Sequence, residues 1–157
     1  MNKYTDYILE QVQNLLAIDS PTGFTKHVSS YLMNTYKALG YDPQLTVKGG
    51  VLVKIAEGSS PYDPILVMAH VDTLGAMVAE VMGNGHLRLS PLGGMNPNNA
   101  EAENCRIYTR DGKVYTGTFQ LKNASVHVNS DYSSTKRSYD SCEVILDELV
   151  SSKEEVK

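Results

Sequence analysis

The chain of 157 residues is long enough for one ordinary domain or two small ones, and its 41% hydrophobic content is typical of a protein with a packed core. Fourteen basic and eighteen acidic residues give a net charge of -4 without a basic block, which argues against nucleic acid and anionic membranes as partners. The sequence has no N-terminal h-region and no run of about eighteen apolar residues, so we expect a cytoplasmic protein. Its two cysteines, Cys105 and Cys142, form neither a metal motif nor a disulfide framework, which suits a reducing compartment.

Two amphipathic helices are predicted at the start of the chain. The first has apolar residues at the i, i+4, i+7 and i+8 spacing, and the turn DSPTG (Asp19–Gly23) follows it. The second has a similar apolar stripe, and Gly40 stands where a helix C-cap is expected. The stripes consist of Ile8, Val12, Leu15 and Leu16 in the first helix and Val28, Leu32, Tyr36 and Leu39 in the second.

Two strands are predicted next, in GGVLVKIAEG (Gly49–Gly58) and PILVMAH (Pro64–His70), with a Ser/Pro turn between them. The uninterrupted apolar run Ile65–Ala69 is typical of a central parallel strand that is buried on both faces. The order helix, helix, strand, strand indicates the beginning of an α/β domain.

A β-rich segment follows, from about Leu74 to Leu149. Asn84-Gly85 and Asp111-Gly112 each lie between two alternating runs, which predicts two hairpins in a small barrel or sandwich. Between the hairpins, Gly93–Asn104 is predicted to be a loop, and the polar stretch Asn129–Ser141 is expected to be a loop that could be disordered.

The end of the sequence combines a strand with a helix-start signal. CEVILDEL predicts the strand, and Ser151 with Glu154 three positions later is the pattern of a capping box. The chain reaches Lys157 less than two turns later, so the sequence favours further protein beyond this point over a frayed tail.

His70 and Asp72 are the candidates for chemistry. Residues two apart on a strand point to the same side, so both would project from the strand's C-terminal edge, where open α/β sheets place their ligands. This fits a metal-binding imidazole whose second nitrogen is held by a carboxylate, although a structural, hydrogen-bonded histidine is the alternative.

The other histidines are weaker candidates. His27 is expected at the surface of the second helix and His86 exposed after a tight turn. His127 alternates with apolar residues on a predicted strand, where it would either pack as a polar residue or approach an active-site cleft.

The stretch ILVMAHVDTLGAMV resembles the signature of the dinuclear-zinc aminopeptidases that assemble as tetrahedra, the glutamyl and deblocking aminopeptidase family. In that signature a strand ends in A-H-x-D, followed by two residues and a glycine. Four further stretches resemble the family in the same order along the chain, namely LLAIDSPTGFTKHV, GGVLVKIAEG, GHLRLSPLGG and VILDELVSSKEEV.

The resemblance implies a fold and an incomplete site. Residues 1–73 would be the N-terminal part of a zinc-peptidase-like α/β domain, and residues 74–157 an inserted all-β dimerisation domain cut at its C-terminal end. His70 would bind one of two divalent metal ions, zinc or cobalt, with Asp72 orienting it. A bridging aspartate and a glutamate base would lie beyond Lys157, so the chain alone would bind metal weakly at most and would not hydrolyse peptides. The resemblance also implies homo-oligomers formed through the β domain.

Two other functions are considered beside this one. HVDT also resembles the H-x-D-T signature of zinc amidohydrolases and carboxypeptidases, although the Asp-containing, Gly-rich stretch expected soon after it is missing. An oligomerisation or interaction module without catalysis is the other alternative. Thr73 stands where the aminopeptidases often have Glu, which bears on the surroundings of Asp72 and on the choice of peptide end group.

Overall fold

The computed structural model describes residues 2–56 and 65–156. The chain divides into two compact units, residues 1–74 and 75–157, and each is described by itself. Within the described residues, no helix combines the length and apolar character needed to span a membrane.

Both predicted helices are present in the first unit. Helix α1 spans Lys3–Leu16, and the Asn2 side chain caps it by accepting a hydrogen bond from the backbone N–H of Tyr4. Helix α2 spans Lys26–Ala38, and Gly40 follows its end with a positive φ. The apolar stripe of α1 is largely exposed, whereas α2 contributes the fully buried Val28.

A small hairpin follows α2. Strands β1 (Gln44–Leu45) and β2 (Val51–Leu52) pair antiparallel, and the Ser29 hydroxyl of α2 donates to the Gly49 carbonyl oxygen at 2.7 Å. The strand predicted over Gly49–Gly58 is therefore much shorter than expected. Its last residues, together with the predicted turn and Pro64, lie outside the described residues.

The predicted buried strand Ile65–Ala69 is wrong. This segment is irregular, and the side chains of Ile65 and Val67 are 91% and 82% exposed. A central parallel strand needs neighbouring strands for its hydrogen bonds and elements that cover both faces. The described part of the first unit supplies no such neighbouring strand for this apolar run.

The second unit contains a five-stranded antiparallel sheet with the order β3-β4-β7-β6-β5. Among the described residues this sheet is curled into a half-barrel with β3 and β5 at its edges, so the expected β-rich segment is present, but it is neither a closed barrel nor a sandwich. A short helix α3 (Pro97–Ala100) interrupts the loop predicted over Gly93–Asn104. The strands are β3 (Gly75–Val81), β4 (Leu87–Leu92), β5 (Asn104–Tyr108), β6 (Val114–Leu121) and β7 (Cys142–Leu146).

Both predicted hairpins and the predicted strand near the C-terminus are confirmed. Gly85 and Gly112 adopt φ values of 83° and 87° in the β3–β4 and β5–β6 turns, a backbone conformation that residues other than glycine rarely adopt. One face of the sheet carries the core, which consists of Leu87, Phe119, Leu121, Cys142 and Val144.

The disorder expected within Asn129–Ser141 is wrong, because this segment forms hydrogen-bonded turns. The Arg137 guanidinium donates to both carboxylate oxygens of Glu101, at 2.7 and 3.1 Å, and to the carbonyl oxygen of Tyr132 at 2.7 Å. A bidentate pair of this kind is among the stronger polar contacts available to a loop. His127 lies in a turn just before this segment, not on the strand that was predicted for it.

The capping box near the C-terminus is present, but it lies one residue later than predicted. Ser152 and Glu155 form it, in place of Ser151 and Glu154, and a 3₁₀ turn covers Lys153–Glu155. The backbone N–H of Ser151 also donates to the Glu155 carboxylate at 2.6 Å, and these hydrogen bonds lower the pKa of Glu155 below its usual value.

Candidate metal-ligand site

The side chains of His70 and Asp72 lie on the same side of the chain and in contact. His70 Nδ1 is 3.0 Å from Asp72 Oδ1. The proximity expected from their spacing is therefore present, although the pair lies on an irregular segment and not at the end of a buried strand. A neutral imidazole that donates from Nδ1 keeps its lone pair on Nε2, which is the arrangement of a metal-binding histidine with a supporting carboxylate.

The imidazole is accessible to a ligand. The His70 side chain is 85% exposed, and Asp72 is about half exposed. Within residues 2–56 and 65–156, no group of three or more His, Cys, Asp and Glu side chains is arranged to hold a metal ion. A catalytic zinc usually takes three protein ligands. The described residues thus fit one ligand of a metal centre and not a complete one.

The turn after α1 forms hydrogen bonds with residues 71–73, the segment that contains Asp72. Ser20 exchanges hydrogen bonds with Thr73, and its hydroxyl donates to the Val71 carbonyl oxygen at 2.8 Å. The Thr22 hydroxyl donates to Asp72 Oδ2 at 3.3 Å. The sequence predicts this turn as the end of a helix and as part of a stretch that resembles the aminopeptidase family. Nothing in its local pattern indicates that it also contacts a distant segment.

His86 is not exposed as predicted, because it pairs with a buried carboxylate. His86 Nδ1 lies 2.7 Å from Glu143 Oε1, and the Glu143 side chain on β7 is almost completely buried. Glu143 is not among the residues predicted from the sequence, where its only signal is a charge within the apolar run CEVIL. His27 and His127 are both exposed, the former as predicted.

Neither cysteine has the character of a reactive thiolate. Both are free; Cys142 is fully buried and Cys105 is half buried. Burial and the negative charge of Asp147 raise the pKa of the Cys105 thiol.

Comparison with known proteins yields consistent matches. The profile of the family described as M42 glutamyl aminopeptidase matches residues 49–157, which include His70 and Asp72. YhfE, a proposed aminopeptidase of Bacillus subtilis (strain 168), is 37% identical over 142 residues, which cover 90% of this chain and 41% of that protein.

Two solved structures share the fold. An aminopeptidase from the archaeon Desulfurococcus kamchatkensis is 25% identical with a TM-score of 0.79, and the match covers 98% of this chain and 40% of that one. The TET1 peptidase of Pyrococcus horikoshii is 21% identical with a TM-score of 0.74, over 94% of this chain and 42% of that one. The chain therefore spans about two fifths of the length of each of these three proteins.

Proposed function

Because the chain belongs to the M42 glutamyl aminopeptidase family, we propose that it is the N-terminal part of a metallo-aminopeptidase that removes residues from the N-termini of peptides. The observation that carries this proposal is the contact between His70 and Asp72, which lies within the matched residues and leaves Nε2 of the imidazole available. The family match also favours this function over that of the H-x-D-T amidohydrolases.

In this proposal His70 coordinates one metal ion, and Asp72 orients His70 through a hydrogen bond. The carboxylate fixes the tautomer and the direction of the ring, so Nε2 points its lone pair outward without a reorganisation cost on binding. Two divalent ions, zinc or cobalt, would activate a water and polarise the peptide carbonyl when bound. The remaining ligands and the general base correspond, in this proposal, to the part of the full-length relatives that this chain does not cover.

We further propose that the N-terminal segment and the β-rich segment of the chain have different functions. Residues 1–73 contribute to the catalytic α/β domain, and residues 74–157 form the β domain used for subunit contact. Within the described residues β3 is an edge strand of the sheet, which supports the second assignment, because an edge strand readily accepts another chain. The TET1 peptidase of Pyrococcus horikoshii is described as assembling into a tetrahedron or an octahedral shell, which supports a homo-oligomer here as well.

An oligomerisation module without catalysis is the second candidate function for this chain alone. It is favoured by the incomplete ligand set among the described residues and by the exposed apolar side chains of residues 65–68. The two free thiols support the cytoplasmic location, since a reducing compartment keeps thiols in this state.

The experiment that tests the proposal is an assay of the purified chain on several aminoacyl p-nitroanilides with added zinc or cobalt. We expect no metal-dependent turnover, because one histidine cannot hold a catalytic metal centre. His70→Ala is assayed in parallel, with His27→Ala as a control at an exposed histidine outside the site. Turnover that His70→Ala abolishes and His27→Ala preserves would show that the chain already contains a complete site.

A further inference from the structure

We propose that Ser20 and Thr73 are positioning residues for the metal ligand: together they hold Asp72, and through it His70, in the orientation that metal binding requires. The inference rests on the proposed function for its purpose, but the contacts that support it are independent of any metal. Ser20 is fully buried, although it lies in a turn and carries a hydroxyl. A buried hydroxyl is costly unless it is hydrogen-bonded, so its partners indicate its purpose.

The hydrogen bonds of Ser20 bracket Asp72. On one side, the Ser20 hydroxyl donates to the carbonyl oxygen of Val71 at 2.8 Å. On the other side, the Ser20 N–H donates to Thr73 Oγ1 at 3.1 Å, and the Thr73 N–H donates to the Ser20 carbonyl oxygen at 3.1 Å. The residues before and after Asp72 are therefore both fixed, which restricts the backbone dihedrals of Asp72 and the direction of its side chain.

No other contact among the described residues could supply this restriction from the N-terminal side. The segment 65–70 is irregular, and its backbone forms no hydrogen bond within the described part of the chain. Val71 is therefore the first residue of this segment whose backbone hydrogen-bonds within the described part of the chain, and its partner is Ser20. Without this attachment His70 and Asp72 would share a flexible segment, and their contact would be one of many conformations.

The carboxylate of Asp72 is held from a second direction. Its Oδ1 faces His70 Nδ1 at 3.0 Å, and its Oδ2 accepts from the Thr22 hydroxyl at 3.3 Å, two residues after Ser20. The same turn thus contributes to the backbone and to the side chain of Asp72. Thr73, the position at which the sequence departs from the aminopeptidase pattern, gains a specific role as the hydroxyl acceptor for Ser20.

The test is the tautomer of His70, measured by long-range ¹⁵N–¹H NMR of the metal-free chain at about pH 8, where an ordinary imidazole is neutral. We expect the Nδ1–H form to predominate in the wild type and Asp72→Ala to define the state without an acceptor. Thr73→Val removes the hydroxyl with little change in shape, and we expect it to lower the ratio of Nδ1–H to Nε2–H about fivefold, the effect of losing one neutral hydrogen bond. Thr73→Ser keeps the hydroxyl and should match the wild type.

Ser20→Ala provides a second variant in case Thr73→Val fails to fold, and amide spectra report the fold of each. A merely structural role for Ser20 and Thr73 would leave the tautomer ratio at its wild-type value in folded variants, and that result would overturn the proposal. A lower ratio of Nδ1–H to Nε2–H in Thr73→Val or Ser20→Ala, together with the wild-type ratio in Thr73→Ser, supports the proposal. Because no metal is present, the outcome is separate from that of the proposed function: His70 could be oriented by Ser20 and Thr73 and still bind no metal.

Discussion

His86 Nδ1 lies 2.7 Å from Glu143 Oε1, so the turn between β3 and β4 is joined to a carboxylate buried on β7. The two residues are 57 positions apart in the sequence. Because β4 contacts β7 through the register pair Leu87 and Val144, this contact lies next to the point where the two halves of the sheet meet. A buried carboxylate in this place needs its partner, since an unpaired one is strongly destabilising.

We therefore expect His86→Ala to lower the free energy of unfolding of the second unit by about 2 kcal/mol, because it leaves the buried Glu143 without its partner. Urea denaturation monitored by circular dichroism measures this value. His127→Ala, at an exposed histidine in the same unit, is the matched control and should change the free energy of unfolding by less than about 0.5 kcal/mol. Equal values for the two variants would mean that the pair contributes nothing to stability.

Gly117 on β6 provides a second stability prediction. A Cβ added there would lie 2.5 Å from the Ile145 carbonyl oxygen and 3.0 Å from Val144 Cγ1, and both belong to the neighbouring strand β7. Gly117→Ala should therefore destabilise the second unit by about 1 to 3 kcal/mol, since it forces the strands apart. Gly94→Ala is the control, because no atom lies within 4 Å of the added Cβ. A Gly117→Ala protein with wild-type urea midpoint would refute the close approach of the two strands.

The raised pKa of Cys105 predicts slow alkylation. Burial and the charge of Asp147 disfavour its thiolate, so at neutral pH a smaller fraction reacts than for an ordinary cysteine. In a Cys142→Ala background, the midpoint of the rise in the rate of reaction with iodoacetamide should lie above about pH 8.5, the usual pKa of a free cysteine. Urea should restore the rate of an ordinary thiol. A rate that levels off below that pH in the folded protein would contradict the prediction.

The exposed edge strand β3 predicts self-association of the chain. Met77 and Val78 on this strand are exposed apolar residues beside an edge that pairs with no other strand in the described part of the chain, which suits a contact with another copy. Light scattering over a range of concentrations should show a homo-oligomer that Met77→Lys weakens. Val126→Lys, which changes an exposed residue in a turn of the same unit, should leave association unchanged. A monomer at high concentration would count against the contact for this chain.

Features that depend on neighbouring residues could be predicted from the sequence. Helices α1 and α2 follow from their apolar spacing, and the turns at Gly85 and Gly112 follow from dipeptides that tolerate a positive φ. The capping box was displaced by one position because two serines and two glutamates stand side by side in SSKEEV, so both registers satisfy the pattern.

Features that depend on distant partners could not be predicted. The apolar run Ile65–Ala69 has the composition of a buried strand, but composition does not show whether a neighbouring strand is present. Arg137 orders a polar loop through Glu101, 36 positions away, and nothing local to the loop indicates this. The proximity of His70 to Asp72 was predicted because two residues determine it, whereas the contribution of Ser20 comes from 51 positions away.

The central claim is that His70 belongs to a metallo-aminopeptidase centre, and a chimera tests it most directly. In the chimera, the present chain replaces the matched two fifths of Bacillus subtilis YhfE, and the rest of YhfE supplies the other metal ligands. With zinc or cobalt, the chimera is expected to hydrolyse aminoacyl p-nitroanilides. Asp72→Ala should lower its metal affinity about 10- to 100-fold. His70→Ala should abolish metal-dependent turnover, while His27→Ala should preserve it. If the chimera is active and its His70→Ala variant turns over substrate as fast as its His27→Ala variant, the assignment of His70 as a metal ligand is contradicted.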